Sequence, residues 1–289
     1  MKLSVKYVTY CSWRILPGIL KFIIRRIFWL FFQIRWEFLR KPPYKIKYYG
    51  YNVVYMPGDS LISRFWKGYE YEPDVLACVL RILPPDAVFF DVGANIGLFT
   101  VAVARNCPAS RIHCFEPSPT PRQCLHQTII QNELIDRITL NEMALSSKSG
   151  VSEFFIHDDL RHASGDGFKD TGIAGATHTI RVPVTTLDNY VQETKIDRLD
   201  LIKIDTEGME LNVLRGGLNS IATLRPKIIF EAIPSFAAMY GISMEDIFMF
   251  LKNHNYCLQM LQGDVLDRVS FLEINSSGVS NFLAIPFSK

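Results

Sequence analysis

An apolar run, Val88-Phe89-Phe90, reaches an acid at Asp91 and breaks at once into Val92-Gly93-Ala94-Asn95-Ile96-Gly97 ahead of a helical stretch. A short, almost continuously apolar segment closed by a glycine-punctuated turn is the mark of a strand covered on both faces, as in a parallel sheet. Such a strand delivers its last carboxylate, Asp91, to the crevice at the sheet edge. There Gly93 and Gly97 let the backbone approach a ligand where a Cβ would collide, and Asn95 tolerates a left-handed backbone. One β-α-β unit later, Ile112-His113-Cys114-Phe115-Glu116 ends a second strand on an acid, placed where a ribose diol would sit. The turn reads D-x-G-x-N-x-G, not G-x-G-x-x-G, which leaves less reason to expect a pyrophosphate over the helix start.

The rest of the chain extends this rhythm. Strands are predicted near 87–92, 111–116, 137–142, 199–204, 227–231, 256–260 and 281–286, and helices near 98–106, 119–133, 208–223 and 243–254. Strands and helices that alternate in this way specify a doubly wound, three-layer α/β sandwich. Ahead of it, residues 42–86 read as a hairpin, a turn at Pro57-Gly58-Asp59 and a helix over 72–82, and 87–289 as the main domain. Residues 157–179, rich in Asp, Gly, Ser, Thr, Ala and His, read as a lid over the crevice between strands at 151–156 and 180–184; a floppy insertion without a role is the alternative.

Residues 1–41 are a separate appendage. Eleven of the first fifty residues are Lys or Arg, against the single acid Glu37, so the chain's formal net charge of +2 conceals a basic N-terminus. Between Trp13 and Phe38 the longest uncharged stretch, Ile27 to Ile34, is too short to span a bilayer, which takes about 20 residues. With Arg14, Lys21 and Arg25 on one helical face and Trp29, Phe32 and Trp36 elsewhere, residues 13–40 suit an interfacial helix in peripheral contact with a membrane. A helix packed on the domain or on a second subunit is the other reading. Six scattered cysteines without C-x-x-C spacing fit a reducing compartment, hence a cytoplasmic protein, on or off the membrane face.

Taken in order, Tyr71-Glu72-Pro73, DVGANIG, FEPSP, Ala144-Leu145-Ser146 and Ile202-Lys203-Ile204-Asp205-Thr206-Glu207-Gly208 resemble the FkbM family of class I S-adenosylmethionine-dependent methyltransferases, over roughly residues 70–289. The resemblance implies a Rossmann-like sheet of about seven strands and methyl transfer to a hydroxyl of a sugar or polyketide-like acceptor. It also implies that the DVGANIG turn, Asp91, Gly93, Ala94, Asn95 and Gly97, cradles the amino-acid end of S-adenosylmethionine. Met143 and Ala144, with Glu142, would line the adenine pocket, and Glu72 would either reach the cofactor's amino group or cap the helix after Pro73. Glu116 can accept both ribose hydroxyls. Ser118 contacts the same cofactor or caps the helix that follows it.

For the chemistry, Asp205 and Glu207 stand at the end of the fourth strand, able to orient an acceptor hydroxyl, take its proton or bind a divalent cation; Glu207 could equally be a first-turn acid of the next helix. Glu231 closes the fifth strand as a third carboxylate, and His178, on the lid margin with His157 and His162 nearby, is a candidate base. The histidines match no metal-ligand spacing. The leading expectation is an O-methyltransferase acting on a sugar, glycan or glycolipid-like acceptor, with no nucleic-acid partner. An NAD-type oxidoreductase and a catalytically silent, membrane-associated binding protein are the alternatives.

Overall fold

The computed structural model describes residues 44–56, 70–157, 166–170 and 177–287. The chain divides into two compact units, Met1–Tyr44 and Lys45–Lys289, and the described residues belong, Tyr44 apart, to the second. The interfacial-helix expectation for 13–40 lies outside the described residues, as do His162 and the turn at 57–59. Among the described residues no helix is long and apolar enough to cross a membrane.

A two-stranded hairpin, β1 (Tyr44–Tyr48) and β2 (Tyr51–Tyr55), turns through Tyr49-Gly50. Helix α1 (Pro73–Ile82) follows, with proline in its first turn, where no N–H is needed. The β-α alternation then begins with β3 (Val88–Val92), α2 (Leu98–Asn106), β4 (Arg111–Phe115), α3 (Pro119–Gln131) and β5 (Ile138–Asn141). A side sheet comes next, made of β6 (Ala144–Leu145), β7 (Gly150–His157) and β8 (Thr177–Thr185). The chain returns through α4 (Leu187–Thr194) to β9 (Leu201–Ile204), α5 (Glu210–Arg215), α6 (Leu218–Leu224), β10 (Lys227–Glu231), α7 (Pro234–Met239), α8 (Met244–Asn253), β11 (Tyr256–Gln259), α9 (Arg268–Ser276) and β12 (Asn281–Pro286).

The main sheet has the order β11-β12-β10-β9-β3-β4-β5, with β12 antiparallel to both of its neighbours and the other pairings parallel. The chain starts in the middle, builds outward to β5, then crosses back to lay β9 against β3. That reversal is a topological switch point, where ligands bind in open α/β sheets. It brings the turn after Asp91 beside the turn after Ile204. Alternating strand residues cover the two faces: Phe90, Val92, Ile202 and Phe230 belong to one core, and Phe89, Ile112, Leu201 and Ile229 to the other. The three-layer, doubly wound reading and its seven strands are therefore seen in full.

Three local expectations change. The helix foreseen over 208–223 is two helices, broken at Gly216-Gly217, two residues that lose more freedom in a helix than any other; a Cβ on Gly216 would lie 2.1 Å from the Ser146 carbonyl oxygen. The strands flanking the lid are longer than foreseen and pair with each other, from Gly150 opposite Val184 to His157 opposite Thr177, so His157 and His178 are strand residues. Within the segment read as structureless, Gly167 exchanges backbone hydrogen bonds with Phe155 (2.7 and 3.1 Å), and residues 166–170 form a strap along the edge of β7.

Candidate active site

Over the C-terminal ends of β3, β4 and β9 lies a cleft with about 880 Å³ of non-atom space, its open mouth included. Its floor begins at the β3 turn. The Gly93 and Ala94 N–H groups both donate to the Phe115 carbonyl (3.0 and 3.1 Å), which holds the turn against β4. Gly93 has φ +80°, and a Cβ there would stand 1.8 Å from the Asp205 carbonyl oxygen. What a Cβ would meet at Gly93 is the neighbouring strand's backbone, and Gly93 itself lines the cleft. Gly97 likewise faces Leu125, whose Cδ1 would be 2.3 Å from a Cβ, and does not line the cleft. Asn95 does adopt the left-handed conformation (φ 50°), and its Oδ1 accepts the Ile96 N–H at 2.7 Å.

Glu116 is the best-organised acid of the cleft. It is 6% exposed, and each carboxylate oxygen accepts one backbone N–H, Oε2 from Asn95 (2.7 Å) and Oε1 from Ser118 (2.8 Å). Burial pushes its pKa up to about 7, against the pull of those two N–H donors. A carboxylate oxygen has two lone pairs, so each keeps one for a ligand hydroxyl. Ser118 occupies the N-cap position of α3 but makes no side-chain cap; its hydroxyl donates instead to Asp166 Oδ2 at 2.6 Å. Asp166 Oδ1 accepts the His157 backbone N–H at 2.8 Å. Around this end stand Ala144, Leu145, Phe154 and Phe168, the two phenylalanine rings 5.4 Å apart edge to face.

Asp91 lies beneath the floor and does not reach into the cleft. It is 1% exposed, the Thr100 hydroxyl donates to its Oδ2 at 2.7 Å, and its Oδ1 has no hydrogen-bond partner among the described residues. Burial raises its pKa, and Lys203 and the Thr100 hydroxyl offset part of the rise. Lys203, 3% exposed, donates to Asp205 Oδ2 at 2.8 Å and stands 4.5 Å from the centre of the Phe99 ring. Although burial opposes its charge, Asp205, Asp91 and Glu72 together raise the Lys203 pKa and keep it cationic.

At the other end, the Asp205-Thr206-Glu207-Gly208 turn is held by Glu210, whose Oε1 accepts the Thr206 N–H (2.9 Å), the Thr206 hydroxyl (3.0 Å) and the Gly208 N–H (3.2 Å). The first-turn acid of α5 is therefore Glu210, and Glu207 is free of that duty. Glu207 sits at φ 55° and lines the cleft with Asp205, Thr206 and Tyr71. Burial first, then the charges of Asp205, Glu210 and Glu72, push its pKa up to about 9. Burial, Asp205 and Glu207 likewise drive Glu231 upward. Burial also raises the Tyr71 hydroxyl, with Asp205 next in effect.

Several foreseen residues are not brought to the cleft walls. Met143 is half-buried against the core, and Glu142 is an exposed partner of Arg122 at 3.3 Å. His178 is exposed near the outer end of β8, opposite Ile156, since the strand carries it out to the rim. Glu72, at φ 41°, is the N-cap residue of α1 without a side-chain cap, and it acts on the cleft through its charge, as Glu231 does from the end of β10. Among the described residues no group of three or more His, Cys, Asp or Glu is set to hold a metal. Sequence reasoning missed Lys203, Asp166 and Glu210. Lys203 had a signal, a lone lysine inside the apolar strand Leu201-Ile202-Lys203-Ile204.

The model of the methyltransferase FkbM domain matches residues 91–258. The 31-O-demethyl-FK506 methyltransferase FkbM of Streptomyces tacrolimicus is 28% identical over 167 residues, 48% of this chain and 64% of its own length. The hexuronic acid methyltransferase AglP of Haloferax volcanii is 26% identical over 166 residues, 55% of this chain and 61% of its own length. The chain thus spans 61–64% of the length of these relatives. Among solved structures, methyltransferase FkbM of Methylobacillus flagellatus superimposes with a TM-score of 0.44 at 16% identity, over 70% of this chain and 44% of that one. With its family model matched from Asp91 across the sheet, this chain belongs to the FkbM methyltransferase family and has the class I methyltransferase fold.

Proposed function

We propose that the chain is an S-adenosylmethionine-dependent O-methyltransferase whose acceptor is a sugar hydroxyl. The observation that carries this reading is Glu116, fixed by two backbone N–H groups and left with one lone pair per oxygen at the switch-point crevice. Such a carboxylate suits a ribose diol. The Gly93-Ala94-Asn95 backbone and the paired Lys203 and Asp205 would hold the amino-acid end, with Asp91 tuning Lys203 from below. Ala144, Leu145 and Phe168 would flank the adenine. The name of the Haloferax relative supports a sugar acceptor.

Bound at this cleft, the sulfonium supplies an electrophilic methyl group. The residues of the chain have three tasks: to align the acceptor oxygen, to exclude water and to take the hydroxyl proton as the new O–C bond forms and the C–S bond breaks. Glu207 is assigned the proton, because it lines the cleft and its raised pKa makes it a stronger base than an ordinary carboxylate. Asp205, beside Glu207 on the cleft wall, orients the acceptor. In an assay of labelled methyl transfer to a panel of saccharides, Glu207→Gln is expected to lower turnover at saturating donor by about 10²- to 10⁴-fold without weakening donor binding. Unchanged turnover would remove Glu207 from the chemistry.

A further inference from the structure

Beside the cofactor cleft lies a second, more open groove that shares Phe168 as a wall, and the two differ in charge. Four acids, Glu116, Asp166, Asp205 and Glu207, line the cleft, with Lys203 as their only cation among the described residues. The groove is lined by Lys148 and Lys169 and, among the described residues, by no acid at all. Asp170, next in sequence, accepts the Thr177 hydroxyl at 3.2 Å and is not part of the groove wall.

The groove also has the surface chemistry of a carbohydrate site. Phe168 and Tyr240 present flat rings, and Ser149, Ser152 and Asn212 present hydroxyls and an amide. Asn189 donates to the Ser149 hydroxyl at 2.9 Å and fixes it, while the Asn212 amide nitrogen leans on Met209 Sδ at 3.3 Å and leaves its carbonyl oxygen to accept. Lys169 is a placed cation: its ammonium donates to the Met239 carbonyl and stands 5.3 Å from the centre of the Tyr240 ring. Continuity with the transfer end is close. A Cβ built on Gly167 would lie 3.8 Å from Glu207 Cβ and 3.9 Å from the Tyr240 hydroxyl, so one residue separates groove from carboxylate.

We propose that this groove docks an anionic sugar, holding its negative group at Lys148 and Lys169 so that a neutral hydroxyl faces Glu207. The proposal rests on the methyltransferase reading of the neighbouring cleft. Opposite charge at the groove attracts the acid group, which fixes the direction in which the acceptor lies.

The test is an equilibrium titration of the full chain, at low ionic strength, with tri-galacturonate, glucose 1-phosphate and maltotriose, repeated on the Lys148→Glu/Lys169→Glu double variant. The wild type is expected to bind at least one acidic probe about fivefold or more tightly over maltotriose. Half-molar salt and the double variant should each abolish that preference. Preference for galacturonate alone assigns a carboxylate, and for glucose 1-phosphate alone a phosphate. S-adenosylhomocysteine affinity within twofold of wild type shows that the variant's cleft is intact. Equal binding of all three probes, or the same preference in the double variant, overturns the proposal. A wild type that prefers the acidic probes yet binds no S-adenosylhomocysteine keeps the groove assignment and removes the methyl-donor reading.

Discussion

Glu207 holds a proton at neutral pH because burial and three nearby carboxylates, Asp205, Glu210 and Glu72, oppose its charge, and Lys203 compensates only in part. Its folded pKa of about 9 stands above the ordinary 4.5, so between those values the folded chain binds more protons at this position than the unfolded chain does. The stability this contributes is fully present below 4.5 and is lost as pH rises through about 9. Urea midpoints should therefore fall between pH 6 and 9.5 more steeply in wild type than in Glu207→Gln; parallel slopes would show that Glu207 ionises normally. If Glu207 is the proposed base, turnover should climb with pH over the same range, since only the carboxylate accepts a proton.

The turns after β3 and β9 touch, and the packing of whole elements sets that geometry. Gly216 shows the same principle on the outer layer: α5 and α6 break where the Ser146 carbonyl approaches. Gly216→Ala should cost about 1–3 kcal/mol, measured by urea unfolding, because a backbone carbonyl must move to admit the methyl group. An unchanged midpoint would mean that the Ser146 backbone yields to the methyl group at no cost. The Gly216-Gly217 pair marks this break in the sequence but is outweighed by the surrounding apolar pattern in the reading of 208–223 as one helix, whereas 98–106, 227–231 and 281–286 coincide with the observed elements. Helix α4 escaped notice because Leu187-Asp188-Asn189-Tyr190 is poor in strong helix formers. Its start is made by the Thr186 hydroxyl accepting the Asn189 N–H at 3.1 Å.

At the scale of the molecule, the acids at strand ends that line the cleft, Glu116, Asp205 and Glu207, are legible in the sequence because a parallel sheet carries its strand ends to one edge. The sequence does not show what packing between distant segments creates. Asp166 reaches the cleft only through Ser118 and the β7 edge, and the groove at Lys148 and Lys169 arises where the strap, α5 and the start of β7 converge. Asp91 is the instructive case: the motif marks its position, but only the fold shows that Thr100 and Lys203 surround it under the floor.

On the proposed reading, the switch-point cleft binds an adenosyl cofactor through Glu116. Calorimetric titration of S-adenosylhomocysteine into the full chain, with NAD as the comparison, tests it most directly. Saturable binding of the first and none of the second is expected. Glu116→Ala should lose at least about tenfold in affinity, since hydrogen bonds to a charged group contribute about 1.5–3 kcal/mol each. A folded wild type that binds only NAD, or a Glu116→Ala variant with undiminished affinity, would contradict it.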